Sequence, residues 1–181
     1  MRIVWSVLGV ASVTVLLSGC LPPQPALAPT AEPTSTPIFA SDEEALAAAE
    51  AAYGAYVKAV DVALSTLDSA DVGRVSQGQA LSTVENSVTS YRAEGKRLTG
   101  TSKIDMTVLT RSSSSDAPLG PQIYSCLDIT GTDVVDSNGR SVVPAARRLR
   151  VPVVVDTIVR STDQSLIVEN VEIWGGNDFC V

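Results

Sequence analysis

The sequence contains no histidine, and that absence removes whole classes of chemistry. A His-based triad, a zinc site with His ligands and a His acid/base pair cannot be built from it. Cysteine is scarce, and three residues are too few for a metal site with four cysteine ligands. Aromatic residues are only 4% of the chain, which argues against aromatic cages and base-stacking platforms. The net charge of -7 lacks the basic footprint of a nucleic-acid binder. No phosphate-binding glycine loop and no Gly-x-Ser-x-Gly elbow occurs, and Gly175-Gly176 is followed by neither a helix nor a lysine. No cofactor, no metal and no nucleic-acid partner is therefore expected. The 181 residues suffice for one or at most two domains.

What is present is concentrated first at the N-terminus. Arg2 is followed by an apolar run over residues 3–17, the length of a signal-peptide core and shorter than the ~20 residues that span a bilayer. The run ends in Leu17-Ser18-Gly19-Cys20. This tetrad resembles a bacterial lipobox. The resemblance implies diacylglyceryl addition to the Cys20 sulfur and cleavage before it, leaving 162 of the 181 residues. Two acyl chains would anchor the protein stably, where one binds only marginally. An ordinary cleaved signal peptide, with Cys20 incidental, is the competing reading.

Residues 21–40 hold Pro22, Pro23, Pro25, Pro29, Pro33 and Pro37, six of the ten prolines. Such a segment favours extended polyproline II and reads as a semi-rigid spacer with a reach of about 60 Å. A proline-rich ligand for a partner is the alternative. The organisation is thus residues 1–19 as signal peptide, 20–40 as lipidated cysteine and spacer, and 41–181 as the folded domain.

Ser41-Asp42-Glu43-Glu44 has the pattern of a capping box, with Ser41 as N-cap. A long helix is predicted from there to about Leu67, with Leu46, Tyr53, Val57, Val60, Leu64 and Leu67 as its apolar stripe. A second helix is expected near residues 81–94, stopped by Gly95. Beyond Gly100 the period becomes alternating. Ile104, Met106 and Val108 are expected on one face of a strand, with Asp105 on the other. Ile123, Ser125, Leu127 and Ile129 oppose Tyr124, Cys126 and Asp128 in the next. Asn138-Gly139 signals a turn, with a short strand expected at Val142-Val143. Residues 149–160 and 164–174 read as two further strands, with Pro152 implying an edge position or a bulge. Two helices followed by about four or five antiparallel strands argue an α+β fold, helices on one face of a sheet.

That element order is similar to the NTF2-like (cystatin-like) superfamily, whose curved sheet wraps a long N-terminal helix in a cone. The resemblance covers residues 41–181. Arginine outnumbers lysine ten to three and alanine and valine abound, which fits a high-GC genome, and the whole resembles small actinobacterial lipoproteins.

If Cys20 is lipidated, Cys126 and Cys180 remain as an even pair in an exported domain, where oxidation is expected. A disulfide between them would tie the C-terminal segment to the sheet, with a chain-entropy contribution of about 4 kcal/mol. A redox-active pair is the competing reading, without the Cys-x-x-Cys spacing that favours it.

Carboxylates are the remaining acid/base groups. Asp105, Asp128, Asp156, Glu169 and Glu172 fall on predicted strands. The alternation turns Asp105, Asp128 and Asp156 to the solvated outer face. Tyr124 and Asp128 share a face and are the least weak catalytic candidates, since NTF2-like isomerases and dehydratases often use an Asp base. Arg147, Arg148 and Arg150 form one basic cluster, suited to anionic head groups or to solvated pairing with nearby acids. Asp128, Asp133 and Asp136 lack EF-hand spacing. The expected function is a non-catalytic lipoprotein on the outer face of the cell membrane, binding an envelope protein or a small ligand. An NTF2-like lyase or isomerase, and a structural envelope or secretion-assembly component, are the alternatives.

Overall fold

The computed structural model describes residues 38–112 and 119–180. The expectations for the signal peptide, for Cys20 and for most of the spacer lie outside the described residues. No helix among those described is long and apolar enough to cross a membrane.

Helix α1, Asp42–Thr66, starts where the sequence predicts. The Ser41 hydroxyl accepts from Glu44 N at 3.2 Å, and Glu44 Oε2 accepts from Ala40 N at 2.8 Å. Glu44 thus reaches one residue further back than in the usual box, still satisfying an otherwise unpaired donor. The buried side is centred on Ala45, Ala49, Ala52, Tyr53, Tyr56, Val57 and Ala63. Leu46, Val60, Leu64 and Leu67 of the predicted stripe only flank it. Small residues thus make up about half of the buried side, with Ala49, Tyr53, Tyr56 and Val57 in the core shared with the sheet.

A short 3-10 turn, Val72–Arg74, leads to helix α2, Gly78–Ala93. Its end is a Schellman motif: Gly95 N donates to Arg92 O, Lys96 N donates to Tyr91 O, and Gly95 takes φ +63°. Gly78 suits its φ of +57°; a Cβ there would displace the flexible end of Glu169 and stand 3.3 Å from Glu169 O. Tyr56 OH donates to Ala80 O at 3.3 Å, linking the two helices.

Among the described residues six strands follow: β1 Arg97–Gly100, β2 Lys103–Arg111, β3 Leu119–Asp128, β4 Thr132–Val135, β5 Arg150–Val159 and β6 Leu166–Ile173. The fold is α+β. Strands β2-β3-β5-β6, in that order, make a four-stranded antiparallel sheet, and β1 pairs with β4 in a separate two-stranded ribbon. The helices cover one face of the large sheet. There Tyr53, Tyr56, Val57, Val84 and Val88 pack on Ile123, Val153, Val155 and Val168.

Three details depart from the sequence reading. The ribbon β1–β4 was not legible, because each strand has four residues and too few alternations to register. Val142-Val143 does not form a strand. One bridge joins Val135 to Ser141, and Val142 N donates to Val134 O, around the Asp136–Arg140 turn. Pro152 is neither at an edge nor in a bulge: β5 lies inside the sheet. Its ring is tolerated because β6 ends beside it. Ile173 pairs with Val153, and the next residue, Trp174, only donates its N–H to Pro152 O.

Candidate binding face

The face of the large sheet opposite the helices carries the groups that the core does not use. Alternation on the register places four rungs there. Arg111, Gln122, Asp156 and Asn170 form the first; Val108, Tyr124, Val154 and Glu172 the second. Met106, Cys126 and Pro152 form the third, and Lys103, Asp128 and Arg150 the fourth. Two rungs that are apolar apart from Glu172 are therefore bracketed by two charged ones.

A bulge creates this arrangement. The register of β2 against β3 shifts between Ile104 and Met106. Ile104 packs into the helix-side core, whereas Met106 and Val108 stay 36% and 48% exposed. The expectation that Ile104, Met106 and Val108 share one face is thus corrected: the extra residue, Asp105, reverses the side chains after it. Asp105 itself pairs with Arg150 of the fourth rung.

The first rung is a hydrogen-bonded row. Asp156 accepts from Gln122 Nε2 at 2.7 Å, from Arg111 Nη2 at 3.4 Å and from Asn170 Nδ2 at 3.5 Å. Asn170 Nδ2 also donates to Glu172 Oε1 at 3.1 Å. Asp156 does face outward, but it is half-buried within this row rather than freely solvated. Arg111 Nε and Asn170 Oδ1 are shielded from solvent without a hydrogen-bond partner among the described residues. Sequence reasoning did not find Arg111, Gln122 or Asn170. Each is unremarkable alone, and only the register aligns them.

After β6 the chain turns back over the second and third rungs. Cys180 is bonded to Cys126 across 54 residues, with their Cα atoms 5.6 Å apart. Tyr124 packs against Trp174, at 4.7 Å between ring centroids, and against Phe179, stacked at 5.7 Å. The disulfide pairing inferred from the cysteine count is present.

Tyr124 and Asp128 do share this face, but the structure does not bring them into a joint site. Cys126 and its disulfide stand between them on β3. Asp128 Oδ1 accepts from Thr130 N at 2.8 Å and shapes the turn after β3. The Thr130 hydroxyl and amide, with Lys103 and Arg150 behind them, hold its carboxyl below the usual aspartate range. A group so held stays ionised at neutral pH and is a weak base. Glu169 sits at the bulge of β6 against Gly78, beside the start of α2. The basic cluster is internally engaged: Arg147 donates to Ile129 O and Thr132 O, Arg148 pairs with Asp178 at 3.7 Å, and Arg150 pairs with Asp105.

Elsewhere, a groove of about 480 Å³ runs between α1 and the 3-10 turn, lined by Ala59, Val62, Val72 and Val75. Asp61 of α1 is a buried carboxylate, 8% exposed. It accepts from Ser102 N at 2.7 Å and from Ser102 Oγ at 2.8 Å. Glu169 Oε2 is also shielded from solvent, without a hydrogen-bond partner among the described residues. No group of three or more Cys, Asp or Glu among the described residues is placed to hold a metal ion.

No protein-family model matches the chain, and none of the curated proteins matches it in sequence. Among solved structures, the chain is similar to the intermembrane space region of the chloroplast protein ARC6. That similarity is at 12% identity and a TM-score of 0.45, over 71% of this chain and 95% of that one. Likeness at this level establishes neither a common fold nor a common role.

Proposed function

We propose that the chain is a lipid-anchored lipoprotein of the bacterial envelope whose folded domain is a non-catalytic binding module, with the outer sheet face as its docking surface. The observation that carries the docking part is the pair Met106 and Val108. They are exposed on β2, the edge strand, beside Tyr124 and between two charged rungs. An apolar centre with a charged rim is the anatomy of a protein–protein interface. The occupant that fits is an envelope protein with an apolar patch opposite Met106 and Val108. Its rim would place acidic groups towards Arg111 and Lys103 and basic groups towards Asp105 and Glu172. The anchoring part rests on Leu17-Ser18-Gly19-Cys20 and the proline-rich residues that follow.

The finer fold reading is an NTF2-like cone. Its support is a 25-residue helix laid on the sheet and register shifts in all three pairings of that sheet, since bulges bend and twist strands. A lyase or isomerase on such a fold calls for a carboxylate facing an enclosed cavity, whereas the oxygens of Asp61 are both engaged by Ser102.

Crosslinking in the native envelope tests the docking surface. Val108→Glu combined with Met106→Glu is expected to abolish capture of the partner, with circular dichroism unchanged because both side chains are exposed. An unchanged set of crosslinked proteins would overturn the assignment of this face.

A further inference from the structure

We propose that residues 174–180 are a redox-releasable strap that regulates access to the outer sheet face. The regulatory part rests on the docking reading above; the opening itself does not.

Among the described residues, few bonds join this segment to the body of the protein. They are the Cys126–Cys180 disulfide, the packing of Trp174 and Phe179 on Tyr124, the ion pair of Arg148 with Asp178, and the bond from Trp174 N to Pro152 O. Its other hydrogen bonds are internal. Trp174 Nε1 donates to Asn177 O at 3.2 Å, and Cys180 N donates to Asp178 Oδ1 at 3.0 Å. The segment adds no strand to the sheet. The main core lies on the opposite face, and no residue of the strap belongs to it. Removing the strap therefore uncovers Tyr124 and Cys126 and leaves the helix–sheet packing in place.

The disulfide is the covalent latch. Cys126 is fully buried and Cys180 is nearly so, so exchange takes place on a transiently lifted strap. A dithiol reductant supplies the electrons. Its thiolate attacks Cys180 Sγ, the Cys126–Cys180 bond breaks, and Cys126 leaves as a thiolate that takes a proton. The second thiol of the reductant, as its thiolate, then displaces Cys180, which leaves as a thiolate and is protonated. The reductant becomes an intramolecular disulfide. Two electrons pass to the protein, and both of its sulfurs end as thiols.

The full chain treated with dithiothreitol, without denaturant, tests this. Alkylation and mass spectrometry are expected to label both Cys126 and Cys180. Hydrogen exchange over residues 174–180 should rise tenfold or more, while α1 around Tyr53 keeps its protection. Cys180→Ser should show the same exchange pattern without reductant, with Cys126 labelled. Cysteines that stay unlabelled until the protein is unfolded would overturn the proposal, as would loss of α1 protection in step with the strap. Crosslinking the oxidised and the reduced chain separates the two readings. Capture by both forms with the strap closed in both removes the strap alone. A strap that opens with no partner captured by either form removes the docking face alone.

Discussion

Asp61, on the buried side of α1, accepts two hydrogen bonds from one residue 41 positions away, Ser102 N at 2.7 Å and Ser102 Oγ at 2.8 Å. The link pins the C-terminal part of the long helix to the connection between β1 and β2. Ser102→Ala removes one of the two donors and leaves a buried carboxylate oxygen unpaired. The expected cost is about 1.5–3 kcal/mol of stability, read as a lower urea midpoint with an unchanged slope. A loss below about 0.5 kcal/mol would show that water replaces the hydroxyl.

Burial governs the alkaline limit of the fold. Tyr56 has its hydroxyl pushed up to about 12, and the Tyr53 hydroxyl is also raised, in both cases mainly by burial. Above the ordinary tyrosine value near 10, the unfolded chain ionises while the folded one retains its protons. The folded state then binds more protons, and stability falls as pH rises. Between pH 10 and 12, each of the two is expected to remove up to about 1.4 kcal/mol per pH unit. Denaturant melts across that range check this, and Tyr56→Phe should flatten the slope.

Two glycines share the same backbone angle and differ in surroundings. Gly100 and Gly139 both have φ +79°. A Cβ on Gly100 would lie 1.9 Å from Gly131 O, whereas nothing lies within 4 Å of one on Gly139. Gly139→Ala is expected to cost only the left-handed penalty, about 1–2 kcal/mol. Gly100→Ala also forces apart the β1–β4 ribbon and should cost about 4 kcal/mol or more. Thermal melts of the two variants distinguish the contributions. Equal losses would mean that the ribbon yields freely.

The membrane address has its own test. Cys20→Ser is expected to shift the protein from the membrane fraction to soluble or unprocessed forms and to abolish lipid labelling. Lipid labelling that survives the substitution would refute the lipobox reading.

Much of the helical part was visible in the residues themselves. The cap at Ser41, the stop at Gly95 and the interruption between the helices depend on a few neighbours along the chain, and each lies where expected. The side of α1 that is buried was read less well. Large apolar residues mark a stripe, but Ala45, Ala49 and Ala52 are buried beside Tyr53 and Val57 while Leu46, Val60 and Leu64 only flank them. On the sheet, β3 obeyed its alternation and turned Tyr124, Cys126 and Asp128 outward as expected. Strand β2 did not, because the bulge at Asp105 exists only against a partner strand.

The sequence by itself determined the two helices and the long strands that follow them, the α+β class and, with Cys20 read as the anchor, the pairing of Cys126 with Cys180. These follow from short-range periodicity, capping and composition. Only the tertiary structure decided the character of the outer face. Met106 and Val108 became exposed through a register shift, and Arg111, Gln122, Asp156 and Asn170 became a row because four strands bring them level. The physical reason is that lateral pairing positions side chains by interactions between residues 11 to 45 places apart, which no local pattern encodes.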